Sequence, residues 1–316
     1  MTGPPPIAER VTATSTLRKA SAPPDSIPLP SLATGRRAER SLRALVFQGV
    51  LVMCVAVGLL TLLVLLVDVF RDGAGRLNGD FLNSLDSRFA SRAGIKPALV
   101  CTLWLMGLVA VVSFPIGVGA ALWLEEFAPK NKFTALIDVN IANLAGVPSI
   151  VYGLLGLAAF VRFMHMGRTV LAGALTLVLL ILPVIIVSSR EALRAVPDSI
   201  RHGALAVGAT TWQTVSRHTL PAAIPGIMTG MILGLSRAIG ETAPLITMGA
   251  LTYVNFVPSG PLDRFTAMPI QIFNWTSRPQ AAFQNVAAAG IILLLGALLV
   301  MNAVAVFVRN RYERRW

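Results

Sequence analysis

The sequence predicts an all-α membrane protein with six transmembrane helices, on three observations. Hydrophobic residues make up 55% of the 316-residue chain and charged residues 13%. A soluble domain of that size cannot bury so much apolar surface. Apolar runs long enough to cross a hydrocarbon core of roughly 30 Å occupy residues 44–67, 97–124, 139–161, 169–189, 224–250 and 286–308. All are uncharged except the fifth, which carries Arg237 and Glu241.

Residues 1–43 are rich in Pro, Ser, Thr, Ala and Arg and show no apolar period, so they are expected to be a disordered basic tail. The first run starts too late and is too long for a cleaved signal segment, so it is expected to stay. Residues 44–316 then form one transmembrane domain. The net charge of +12 would suggest a nucleic-acid partner in a soluble protein. Here the basic residues sort by loop. Those of the tail, of 130–132, of the 190–217 loop and of the C-terminal end outnumber those of 71–96, 162–168 and 264–278. The positive-inside rule then predicts both termini in the cytoplasm, and topology explains the charge without nucleic acid.

The second and third runs carry their own signals. Cys101, like Cys54 in the first run, reads as a small hydrophobe, and no His, Cys and carboxylate cluster has metal-ligand spacing. No lysine follows a glycine, so a phosphate-binding P-loop is absent and the chain is not expected to hydrolyse ATP itself. Glu125 and Glu126, after the second run, read as a solvated face or a partner contact rather than as an acid–base pair. In the third run, GVPSIVYG (146–153) follows Asn140 and Asn143, one turn apart. Pro148 and Ser149 mark a break there, read either as backbone facing a path or as a kinked packing helix.

The loop at about 190–221 predicts a helix–turn–helix. Pro197 and Asp198 suit a helix start, Ile200, Ala204 and Val207 would share a face, and Gly208 can end the helix in a left-handed cap. Thr211 can cap a second helix in which Trp212 and Val215 share a face, stopped by Pro221. Such a unit either lies on the membrane surface or fits a partner's groove.

The fifth run is the most informative. Arg237 lies 16 residues beyond Pro221, roughly 24 Å along a helix, and Glu241 follows one turn later. Ionisable groups at that depth are costly, which makes them a functional hypothesis. A guanidinium fork matches the oxygens of an oxyanion, with Glu241 fixing its rotamer; the alternative is a self-neutralising ion pair that holds the bundle together. Gly226, Gly230, Gly234 and Ala238 recur every fourth residue as a seam for a close helix contact, and Pro244 should weaken or kink the helix. The loops 68–96 and 251–284 offer Phe81, Phe265 and Trp275 as contacts for an external partner, or as residues packing on the membrane surface.

Ala204, Gly208, Leu220 and Pro221 resemble the EAA loop of permease subunits of ATP-binding-cassette importers, although His202, Gly203 and His218 stand where that motif usually has Glu, Ala and Ile. SRAGIKPALVCTLWL from Ser91, LEEFAPK from Leu124, NIANLAGVPSIVYGLLGL from Asn140 and SRAIGETAPLITMGALTYV from Ser236 are similar to the PstA-type permeases of phosphate importers, in order over roughly residues 45–315. The resemblance implies a type I ABC importer permease fold in the plasma membrane, importing inorganic phosphate. It implies a PstC-type second permease chain, a cytoplasmic ATPase dimer that holds the ATP and Mg, an external phosphate-binding protein, and no cofactor on this chain. Arg237, Glu241 and Thr242 would line the substrate pathway, with Asn140, Asn143, Pro148 and Ser149 as further pathway or packing residues. Ala204, Gly208, Trp212, Leu220 and Pro221 would form the ATPase coupling loop. A sulfate or molybdate permease, an ion-coupled carrier with Glu241 as its proton site, and a non-transporting scaffold remain as alternatives.

Overall fold

The computed structural model describes residues 42–250 and 253–312. The expected disorder of the basic tail therefore falls almost wholly outside the described residues. The described chain is helical throughout: α1 (Leu42–Gly73), α2 (Gly79–Asn83), α3 (Lys96–Leu122), α4 (Lys132–Ala145), α5 (Ser149–Gly156), α6 (Val170–Arg194), α7 (Asp198–Ala206), α8 (Thr211–Thr214), α9 (Leu220–Gly240), α10 (Ala243–Met248), α11 (Met268–Thr276) and α12 (Ala282–Tyr312). Five continuous helices are long and apolar enough to cross a membrane, and a bent pair makes a sixth if it counts as one span.

The chain divides into two compact units after Val64. In the first, every described side chain from Ala44 to Val64 is exposed, including Leu51, Leu59 and Leu63. A helix apolar all round belongs in hydrocarbon or against another apolar surface.

In the second unit α6 lies at the centre, with Leu177, Ile181 and Ile185 fully buried. Small residues let its neighbours approach. A Cβ on Gly117 of α3 would fall 2.6 Å from Ile185 Cγ2. On α9, a Cβ on Gly226 would fall 2.6 Å from Ala192 Cβ, one on Gly230 2.5 Å from Ser188 Cβ, and one on Gly234 3.2 Å from Ile185 Cγ1. The seam expected on the fifth run thus meets α6 of the same chain.

Two of the runs are interrupted near the prolines that the sequence marks. The third is broken rather than kinked: Lys132–Ala145 and Ser149–Phe163 meet at 103°. Pro148 supplies no N–H and drives Val147 out of helical geometry, so the backbone turns at 146–148. The fifth run ends its helix at Gly240, and Glu241 is extended (φ −75°, ψ 122°). Pro244 falls in the first turn of α10, where a missing N–H costs nothing, and Gly249 (φ 93°) closes that helix in left-handed geometry.

Phe81, Phe265 and Trp275 are not partner contacts; all three are buried. Phe81 and Trp275 form a compact cap at the end of the bundle away from the 195–215 hairpin, their ring centroids 6.0 Å apart. Trp275 Nε1 donates to Asp86 Oδ1 at 3.1 Å, and Arg278 Nη2 pairs with Asp86 Oδ2 at 3.4 Å while its guanidinium stacks 4.3 Å over Phe283. Aromatic residues there serve packing because Asp86 and Arg278 neutralise each other beneath them.

Gly230→Ala is expected to cost about 1–3 kcal/mol by overpacking, read as a lower midpoint in heat-challenge size-exclusion. Gly107→Ala on α3, where nothing lies within 4 Å, should leave the midpoint unchanged or raise it.

Candidate functional site

Arg237 sits one turn before the end of α9. Its Nε donates to Glu241 Oε1 at 3.2 Å, with the Arg237 side chain 44% exposed and Glu241 17%. The pair forms as the sequence suggested, but by a different route: Glu241 has left the helix, and its carboxylate reaches back one turn. Its N–H donates to Ala238 O at 3.2 Å, and Thr242 Oγ1 to Gly240 O at 3.4 Å. Arg237's terminal nitrogens make no hydrogen bond among the described residues. An open guanidinium fork therefore faces out from a stretch of irregular backbone within an apolar segment. Irregular backbone at membrane depth is tolerated where it borders protein or a water-filled cavity.

The two breaks pack on each other. A Cβ on Gly153 of α5 would lie 2.6 Å from Pro244 Cα, so only glycine lets α5 approach α10 this closely. Tyr152 OH donates to Leu144 O at 2.7 Å, bracing the 103° elbow, and the hydroxyl lies within electrostatic reach of Arg237. Asn140, Asn143 and Pro148 are exposed, and Ser149 is half-buried. Among the described residues no hydrogen bond joins Asn140 or Asn143 to Arg237. The structure therefore brings Arg237, Glu241 and Thr242 to the α5 arm of the elbow, and leaves the asparagines on its α4 arm.

The hairpin between α6 and α9 corrects several expectations. α7 starts after Pro197 as expected, and Gly208 (φ 87°) ends it: Ala209 N donates to Ala204 O at 3.1 Å and Gly208 N to Leu205 O at 3.0 Å. This pair of bonds is a Schellman closure. The second arm is capped by Thr210 rather than Thr211, in a reciprocal box in which Thr210 Oγ1 accepts from Gln213 N at 3.3 Å and Gln213 Oε1 from Thr210 N at 2.9 Å. Pro221 does not stop it. A wide turn at Val215–Thr219 passes the arm into α9, and one helix runs from Thr211 to Gly240. Val207 lies past the end of α7 and is 85% exposed, so it does not join buried Ala204 in one face. Trp212 is 66% exposed while Val215 is buried, so these two also diverge. Leu205, Val207 and Trp212 make an apolar tip, and Leu220 and Pro221 lie half-buried at its root.

An ion-pair network below the hairpin is what sequence reasoning missed. Arg190 pairs with Glu125 at 3.3 Å and with Asp138 at 2.6 Å, Arg194 with Glu125 at 2.9 Å, and Arg201 with Glu126 at 2.9 Å. The two glutamates are thus mostly buried partners of arginine rather than a solvated face. Asp138 stands one residue before the 139–161 run; with Arg190 and Arg194 one helical turn apart, that was the available signal.

Broken spans around a central helix, with an arginine–glutamate pair at one break and a surface hairpin at one end, make a multi-span membrane protein, and comparison with known proteins gives it the type I ABC importer permease fold. Residues 113–315 match the family described as binding-protein-dependent transport system inner membrane component, and the chain belongs to that family. The probable ABC transporter permease protein YqgI of Bacillus subtilis (strain 168) is 31% identical over 271 residues, covering 81% of this chain and 92% of that one. The phosphate transport system permease protein PstA 1 of Mycobacterium tuberculosis (strain CDC 1551 / Oshkosh) is 33% identical over 236 residues, covering 73% and 75%. Among solved structures, a chain of the MetNI methionine ABC transporter in an inward-facing form superposes with TM-score 0.57 at 16% identity, over 70% of this chain and 96% of that one.

Gly208→Ala is expected to weaken the hairpin by about 1–2 kcal/mol, because a side chain is strained at this φ although space is open. Faster amide exchange at Gly208 and Ala209 is the readout. Gly203→Ala, helical and equally open, should not accelerate it.

Proposed function

We propose that this chain is one permease subunit of an ATP-driven importer of inorganic phosphate, and that Arg237 contacts the passing anion. The observation that carries this reading is the Arg237 fork at the α9–α10 break, held by Glu241 through Nε, with no hydrogen bond at its two terminal nitrogens among the described residues. Phosphate near neutral pH is a mono- or dianion, and a planar guanidinium binds two of its oxygens at once. Glu241 orients the fork and moderates its charge, which keeps binding weak enough for release. Thr242 adds a hydroxyl at the same break, and Asn140, Asn143, Pro148 and Ser149 border the neighbouring elbow. Similarity to phosphate permeases such as PstA 1 supports the choice of anion.

In this reading the hairpin end is cytoplasmic, as are both termini, in the inner membrane. The apolar tip of Leu205, Val207 and Trp212, built on Ala204 and Gly208, docks on a separate ATPase dimer that carries ATP and Mg. A second permease chain of PstC type completes the pathway, and an external phosphate-binding protein delivers the anion. Transport proceeds by alternating access.

Arg237→Gln in the reconstituted full assembly is expected to lower ATP-dependent uptake of labelled phosphate at least tenfold, the loss of about 1.4 kcal/mol or more of anion stabilisation, with the subunits still co-purifying. Undiminished uptake would reduce the pair to structural glue. A native assembly that carries sulfate or molybdate but not phosphate would overturn the substrate assignment.

A further inference from the structure

The wide turn Trp123–Phe127, which carries α3 out of its span, reaches both arms of the hairpin through adjacent residues. Glu126 Oε1 accepts from Arg201 Nη2 at 2.9 Å and from Arg201 Nε at 3.3 Å. The same guanidinium donates through Nη2 to Leu193 O at 2.8 Å and through Nη1 to Val196 O at 2.9 Å and Asp198 Oδ1 at 3.0 Å. All the donors of that arginine are thereby used. On the other arm, the Phe127 ring lies 6.2 Å from the Trp212 ring, tilted by 40°. Glu125, one residue earlier, holds Arg190 and Arg194 at the end of α6.

The hairpin does not need these contacts to form. Its closure at Gly208 and its box at Thr210 and Gln213 are made by its own residues. What the contacts supply is orientation. On its first side the hairpin joins the bundle through the non-helical link 195–197, about which an unbraced α7 would pivot. The Glu126–Arg201 pair removes that freedom on one arm and the Phe127–Trp212 contact braces the other. Removing the Glu126 charge leaves a mostly buried guanidinium with Asp198, 80% exposed, as its one carboxylate partner among the described residues, so it favours any arrangement in which Arg201 swings out to water.

We propose that Glu126, Arg201 and Phe127 form a clasp that fixes the hairpin's angle on the bundle and thereby sets how much anion moves for each ATP hydrolysed. They are positioning residues, acting through the hairpin and touching neither phosphate nor nucleotide. This inference rests on the reading of the hairpin as the ATPase-docking element.

The test uses the full assembly in proteoliposomes, with ATP hydrolysis and uptake of labelled phosphate measured on the same vesicles. Glu126→Gln and Phe127→Ala should each co-purify with the other subunits and hydrolyse ATP at a near-native rate, while uptake per ATP falls about fivefold or more. Glu126→Asp, which keeps the charge, should recover most of the ratio. A lowered thermal midpoint with an unchanged ratio in both variants would make the contacts plain cement and overturn the clasp. A native assembly that hydrolyses ATP yet takes up no phosphate would instead overturn the functional reading beneath it, and that outcome is read before any variant is compared.

Discussion

An unmade backbone hydrogen bond in hydrocarbon costs several kcal/mol, and this constraint organises the whole chain. It forces helix wherever lipid is near, which is why the apolar runs of the described residues are helical and the longest non-helical stretch, between α10 and α11, carries Asp263 and Arg264. It also makes the two interruptions, at 146–148 and at Glu241–Thr242, expensive unless each is covered. The structure packs the helices that follow them together: Pro244 beyond one lies against Gly153 beyond the other, and Tyr152 ties down the carbonyl of Leu144. Two costly features thus share one junction, beside Arg237.

The second organising feature is close packing around α6. In a bilayer, helices gain little from burying apolar surface against each other, so contact must come from van der Waals fit. Gly226, Gly230 and Gly234 supply it by letting α9 lie almost backbone to backbone on α6. That contact fixes which face of α9 is covered, and it leaves Arg237 on the uncovered side.

The spans, the glycine seam, the Arg237–Glu241 pairing and the left-handed turn at Gly208 were legible in the sequence, because each rests on a local period or on a residue with one strong backbone preference. What stayed hidden depended on distant partners. Asp138 and Arg190 are 52 positions apart, and Glu126 and Arg201 are 75 apart, so no spacing rule joins them. Thr210 rather than Thr211 caps α8 because Gln213 reaches it, a choice between neighbours that composition alone does not decide. Pro221 reads as a stop in isolation, yet the wide turn at Val215–Thr219 accommodates it. Phe81 and Trp275 look like exposed loop aromatics until Asp86 is seen to bind both Trp275 and Arg278 in the same cap.

Because the second arm of the hairpin and α9 are one helix, Thr211 and Gly240 are the two ends of a single rod of 30 residues, about 45 Å long. Its lower end carries the apolar tip and its upper end carries the guanidinium. A rigid tilt of this rod displaces both ends at once and in opposite directions, with the glycine contact on α6 as fulcrum. Between the two ends the backbone ladder of the rod is interrupted twice, at the wide turn Val215–Thr219 and at Pro225, and these are the places where it can bend rather than tilt as a whole.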